Sequence, residues 1–231
     1  MDIMKSQKLK QVRQHKGWTQ EEAASHLGVT QAYLNLLENG KRRLTPRVVR
    51  RAVSVYGLSP EVLPVGDDFV PTQTSDEQLV EWLVRLEYPG FAYLKTHTAR
   101  KNPYEVLLTA LGQTRLDGRV AEALPWVVMK YGRPDAWLVE TARKFNLQNK
   151  LGFVVRLARR VAESHSDHTR SKELGKLEEM LEESRLAKEG FFYRPPMTER
   201  EREWLSKTRT ADAAHWNLLA DMRPEQLSYV R

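Results

Sequence analysis

Cysteine is absent from the 231 residues. That excludes a disulfide framework and a thiolate metal site, and makes a reducing cytoplasm the expected compartment. No apolar run approaches the ~18 residues of a membrane span. The opening "MDIMKSQKLKQVRQHKG" is charged from the start and lacks the apolar centre of a secretion signal, so no membrane role is expected. Enzyme signatures are missing too. "LENGKR" lacks the glycine spacing and the following Ser/Thr of a phosphate-cradling loop, and no serine sits in a nucleophile elbow. The carboxylates of "EEMLEES" and "ERERE" alternate with bases as on a solvated helix face. His165 and His168 flank Asp167 at metal-compatible spacing, but no further ligand clusters there. The expectation is a non-enzyme with no catalytic residue, cofactor or metal.

What is present is apolar residue and positive charge. Hydrophobic residues make up 41% with six Trp, enough to bury real cores, and the length fits one to three domains. The net charge of +7 is unevenly distributed. Residues 1–65 hold 11 Lys/Arg against 5 Asp/Glu, whereas residues 66–231 hold 26 against 25. A basic small domain beside a neutral larger one fits a polyanion-binding module with a non-electrostatic companion.

Residues 1–65 read as short helices. Leu9 and Val12 share a face, and Gly17 ends the first helix. Thr19 caps a second, with Glu22 completing a capping box. Ala23, Ala24 and Leu27 are small or apolar where two helices cross closely, and Gly28 permits the turn. Thr30 caps a third helix running to about Asn39, with Leu34 and Leu37 on its core face. Thr45-Pro46 opens a fourth, and Ser59-Pro60 a short fifth.

This pattern resembles the lambda-repressor-like helix-turn-helix domains of the XRE family over roughly Lys8 to Leu63. The resemblance is carried by "WTQEEAA" opening the second helix, "LGVTQ" across the turn and "LENGKR" closing the third. It implies that Gln31, Ala32, Tyr33 and Asn35 face the major groove, where Gln or Asn pairs two-pronged with adenine and Ala meets a thymine methyl. Tyr33 has an equal alternative at the edge of the core. It implies phosphate contacts at Gln20 on a helix N-terminus and at Lys41, Arg42 and Arg43, to which we add the cap residues Thr19 and Thr30. Arg13 and Glu38 match a buried ion pair fastening the first helix to the third. Leu36 departs from the family, whose members often carry a polar or basic residue there. It touches a thymine methyl or covers a neighbouring chain; we place it with the base readers.

"PVGDDFVPTQTSDEQ" interrupts the helical pattern and reads as a linker over 66–78. Residues 79–164 are helical by pattern, over Asp76–Leu86, Pro103–Leu111, Gly118–Lys130, Ala136–Phe145 and Gln148–Glu163, suggesting a small bundle or short helical-repeat stack. "EALPWVVMKY", "AWLV" and "LQNKLGFVVRLA" resemble the C-terminal region of XRE-type antitoxins and related abortive-infection regulators, a group encoded beside nucleotidyltransferase-like toxins. The resemblance implies a protein that binds a toxin and represses its own operon. Residues 165–231 are a charged helix and an aromatic-rich tail that packs on its own chain or reaches for a partner. In the second case Phe191, Phe192, Trp204 and Trp216 are the candidate anchors. We therefore expect an all-α protein: a five-helix lambda-repressor-like domain, then a helical bundle or repeat domain with a helical tail. The expected function is a homodimeric repressor on a double-stranded DNA palindrome, acting as an antitoxin. The alternative is a one-component regulator whose helical domain senses a small molecule.

Overall fold

The computed structural model describes residues 6–66, 68–193 and 198–227. They form an all-α protein of twelve helices and almost no sheet. The chain divides into two compact units, one running to Asp68 and including Arg100–Asn102, the other comprising Phe69–Ala99 and the residues from Pro103 on.

Four α-helices build the first unit: α1 (Ser6–His15), α2 (Gln20–Leu27), α3 (Gln31–Glu38) and α4 (Pro46–Tyr56). Their ends follow local chemistry. Thr19 closes a complete capping box with Glu22, and Thr30 and Thr45 each accept a backbone N–H of the next turn. These bonds to Thr19 hold the Glu22 carboxyl below its ordinary pKa. Gly28 ends α2 at φ 67°, a left-handed turn that a side chain resists, and so lets α3 follow at once. The expected fifth helix is only a 3₁₀ turn, Pro60–Val62, because three residues before an extended Leu63 cannot complete an α-turn. The core is Leu9, Ala23, Leu34, Leu37 and Ala52, all fully buried, with Tyr56 beside them. Trp18 stacks on His26, ring centroids 4.3 Å apart, and covers Tyr56. Asn102 donates to the carbonyls of Glu61 and Leu63, tying Arg100–Asn102 to this unit.

The second unit holds α5 (Asp76–Arg85), α6 (Pro103–Leu111), α7 (Gly118–Tyr131), α8 (Ala136–Lys144), α9 (Gln148–Ser164) and α10 (His168–Glu182). Then come β1 (Gly190–Phe191), α11 (Glu199–Thr208), α12 (Ala211–His215) and β2 (Leu218–Leu219). The central α9 buries eleven of its residues and packs against α7 and α10. Sequence patterning separates residues 79–164 from 165–231, but one core runs through both. Leu174, Leu177, Leu181, Phe192 and Trp216 share it with Leu151 and Phe153. The expected linker also packs here in part, for Gln73 and Thr74 bond to Gly112 and Gln113. The tail folds back because Trp216 needs a slot and Gly152 leaves one: a Cβ at Gly152 would lie 2.4 Å from the Trp216 ring. Charge follows apolar burial, with Arg156 bridging Asp212 at 2.6 Å and the buried Glu178 at 3.1 Å.

Gly152→Ala is therefore expected to overpack the core, since the fully buried Trp216 has nowhere to swing. The cost is about 1–3 kcal/mol. Thermal denaturation should show the second unit melting roughly 2–12 °C lower.

Candidate nucleic-acid interface

The proposed readers lie on α3, whose other face is consumed by the core. Leu34 and Leu37 are fully buried, and Gln31, Ala32 and Asn35 are exposed. With 3.6 residues per turn, Gln31 and Asn35 share one row and Ala32 and Leu36 the next, so the four make a single strip. Tyr33 is half-buried and packs against the core, at its edge. Leu36 is half-buried too, yet is not among the partly buried apolar residues packed on that core. An apolar side chain thus lies beside the polar readers, shielded but not part of the interior.

Behind the strip sits a buried ion pair. Arg13 Nε donates to Glu38 Oε1 at 2.6 Å and Nη2 to Oε2 at 3.0 Å, a two-pronged bond in which Glu38 is 3% exposed. Arg13 Nη1 also donates to the Trp18 carbonyl at 2.9 Å. The hydrogen bonds it donates to Glu38 hold the Arg13 guanidinium above its ordinary pKa. The pair locks α1 to α3, and so fixes how α3 is presented.

A chain of amides runs outward from it. Gln20 Nε2 donates to Glu38 Oε2 at 3.0 Å, Asn35 Nδ2 donates to Gln20 Oε1 at 3.4 Å, and Asn39 Nδ2 donates to Asn35 Oδ1 at 3.0 Å. Gln20, expected to grip a phosphate through its side chain and backbone N–H, has its side-chain amide spanning Glu38 and Asn35. Its position as the first residue of α2 leaves its backbone N–H facing outward from the helix start. Asn39 is not among the residues expected from the sequence. The available signal is its spacing, four residues after Asn35 and therefore on the same row.

Thr19 and Thr30, named for phosphate, accept the N–H groups of Glu22 and Tyr33 at 3.2 Å each; Thr19 also donates its hydroxyl to Glu22 Oε2 at 3.0 Å, so of the two only Thr30 keeps its hydroxyl proton for an outside acceptor. Lys41, Arg42 and Arg43 are all exposed, and none has a hydrogen-bond or ion-pair partner for its charged group among the described residues. Gly40, at φ 70°, turns the chain so that the backbone N–H groups of Lys41 and Arg42 both reach the Leu36 carbonyl, at 2.9 and 3.2 Å. Three cations without a partner among the described residues thus follow directly on the strip of α3 in the chain.

The four expected partner anchors divide. Phe192 and Trp216 are 1% and 0% exposed in the core of the second unit, so neither is an anchor for another protein. The reason is the Gly152 slot and an edge contact of Phe192 with Phe153, centroids 5.1 Å apart. Phe191 and Trp204 remain exposed, and α11, which carries Trp204, buries no residue at all. Asp167 caps α10 by accepting from the Arg170 N–H. Among the described residues no helix is long and apolar enough to cross a membrane, and no cluster of His, Cys, Asp and Glu is arranged for a metal ion.

Two short helices crossing at a glycine turn, the second showing polar side chains beside unpaired cations, define a helix-turn-helix DNA-binding unit. Residues 6–64 match the family model of a helix-turn-helix domain. No curated protein and no solved structure matches the chain. The match covers about a quarter of the chain and supports DNA binding by this domain.

Proposed function

We propose that the protein is a sequence-specific transcriptional repressor acting in the cytoplasm as a homodimer on an operator palindrome. The observation that carries this reading is the strip of exposed Gln31, Ala32 and Asn35 with the half-buried Leu36, beside Lys41, Arg42 and Arg43, whose charged groups have no partner among the described residues. The strip supplies base-edge chemistry and the cations supply register on the phosphates. One module of this kind covers only about 600–1,000 Å² and binds modestly. Two modules on half-sites one helical turn apart reach operator affinity. Leu36 meets a thymine methyl in this reading. Footprinting of the DNA upstream of its own coding sequence tests it: protection of an inverted repeat supports the reading, and even protection of all sequences sinks it.

The resemblance of residues 79–163 to antitoxin C-terminal regions extends the proposal to autoregulation and to neutralisation of a nucleotidyltransferase-like toxin. The exposed Trp204 on a helix that buries nothing supports a protein partner. Pull-down of the neighbouring gene product with the full chain is the corresponding test. A second reading, a regulator that responds to a small molecule, is favoured by a cleft in the second unit lined by Lys150 and Phe191.

The phosphate assignment makes its own prediction. Replacing Lys41 and Arg42 with alanine should weaken operator and random DNA alike. It should also flatten the dependence of log affinity on log salt by about one unit for each phosphate left without its cation. Titration at several salt concentrations reads both effects; an unchanged slope would remove these side chains from the phosphate set.

A further inference from the structure

The second unit contains a cleft of about 410 Å³ where the start of α9, the residues after α6 and the two short strands meet. Its walls include Phe191, Tyr193, Leu186 and Leu218, with Lys150 and Lys188 as the cations. The volume falls in the range of small-molecule sites, about 300–1,000 Å³.

Most of the polar lining is already committed. Asn149 bonds both N–H and C=O of Leu186, at 2.8 and 2.9 Å. The Gln113 amide is used by Thr74, Thr72 and Thr109. Glu189, the lining carboxylate, is held by Arg202 at 3.0 Å and Arg209 at 3.4 Å, which leaves it no unopposed charge toward the cleft. Lys150 differs: its ammonium donates to the Leu111 carbonyl at 2.9 Å, and no carboxylate pairs with it among the described residues. An ammonium has three N–H donors, so this bond leaves donors to spare. Burial holds Lys150 below its ordinary pKa, the mark of a charge lacking a counter-ion. Lys188 has no partner among the described residues. The cleft therefore combines apolar walls with positive charge that no carboxylate opposes among the described residues.

We propose that this cleft binds a small aromatic carboxylate, its acid group on Lys150 Nζ and its ring against Phe191, Tyr193 and Leu218. Aromatic walls suit a planar body, and the half-buried Lys150 ammonium, with Lys188 exposed to solvent, suits a monoanion. The site is independent of the operator-binding reading, because it is built wholly from the second unit and is tested without DNA.

The test is calorimetric titration of the full chain with naphthoate and with its neutral amide, naphthamide. Naphthoate should bind saturably and about tenfold to a hundredfold tighter than the amide, the worth of a charge-assisted hydrogen bond. Lys150→Met should erase that preference, while Phe191→Ala, at a partly exposed wall position, should weaken both ligands alike. Should Lys150 serve only to cap α6 through the Leu111 carbonyl, Lys150→Met would lower the melting temperature and leave the acid-to-amide ratio unchanged. That unchanged ratio overturns the proposal. So does equal binding of acid and amide, or no saturable binding of naphthoate up to about 1 mM.

Discussion

Glu38→Ala is expected to unfold the helix-turn-helix unit at temperatures where the wild-type chain keeps it folded. The substitution leaves the Arg13 guanidinium buried at 9% exposure without its two-pronged partner, while its third contact, to the Trp18 carbonyl, carries no opposing charge. Breaking a buried pair by removing one member costs about 3–5 kcal/mol. Small domains hold only about 5–15 kcal/mol in total, so a large share of the reserve goes. The melting temperature of a unit this size falls by roughly 12–40 °C. Amide hydrogen exchange along α1 and α3 reads the loss locally. A companion variant, Arg13→Met with Glu38→Leu, replaces the pair by apolar volume and should recover stability, because the buried charge disappears with its partner. It should not recover sequence preference, since Gln20 still lacks the carboxylate that anchors the amide chain to Asn35. Stability and reading would then separate in one protein. If the double variant binds its operator like wild type, the Glu38–Gln20 bond has no part in positioning the readers.

Much of this unit is legible in the sequence because its ends are written in local chemistry. Thr19 with Glu22, Gly28, Thr30 and Thr45-Pro46 each impose a start or stop that neighbouring residues alone decide, and the helices begin and end there. The helices of the second unit are legible for a similar reason, and Pro103–Leu111 has the bounds its apolar spacing predicts. What escapes is set by tertiary geometry. No local pattern announces that Trp216 fits against Gly152, so the sequence leaves open whether the tail packs on its own chain or reaches for a partner, whereas it completes the same core. Strands of two residues, Gly190–Phe191 and Leu218–Leu219, are too short to show alternation. The link from Gln20 to Asn35 depends on how α2 crosses α3, which spacing within one helix does not encode. A lone lysine at the start of α9 gives no sign of a cleft, because the walls come from segments far apart in sequence.

Asn35→Ala should sharply reduce discrimination between operator and random DNA while leaving random binding within about twofold. The amide chain prepares Asn35 for one geometry. Its Oδ1 already accepts from Asn39, and one Nδ2 hydrogen is directed at Gln20, leaving one hydrogen and one lone pair. Those are the two groups that a two-pronged bond to adenine requires. Each such pair contributes about 1–3 kcal/mol of discrimination, so a symmetric dimer loses about 2–6 kcal/mol, tens- to ten-thousand-fold in operator affinity. Asn39→Ala keeps the reader but frees its orientation, so its loss should have the same direction and smaller size. Asn35→Asp carries two acceptors and no donor at neutral pH, and should move preference at that base from adenine toward cytosine, whose amino group donates. Selection of binding sites from randomised half-sites would show the change directly. An equal fall on operator and random DNA would instead put Asn35 on the phosphate backbone, and the reading strip would have to be sought in Gln31, Ala32 and Leu36.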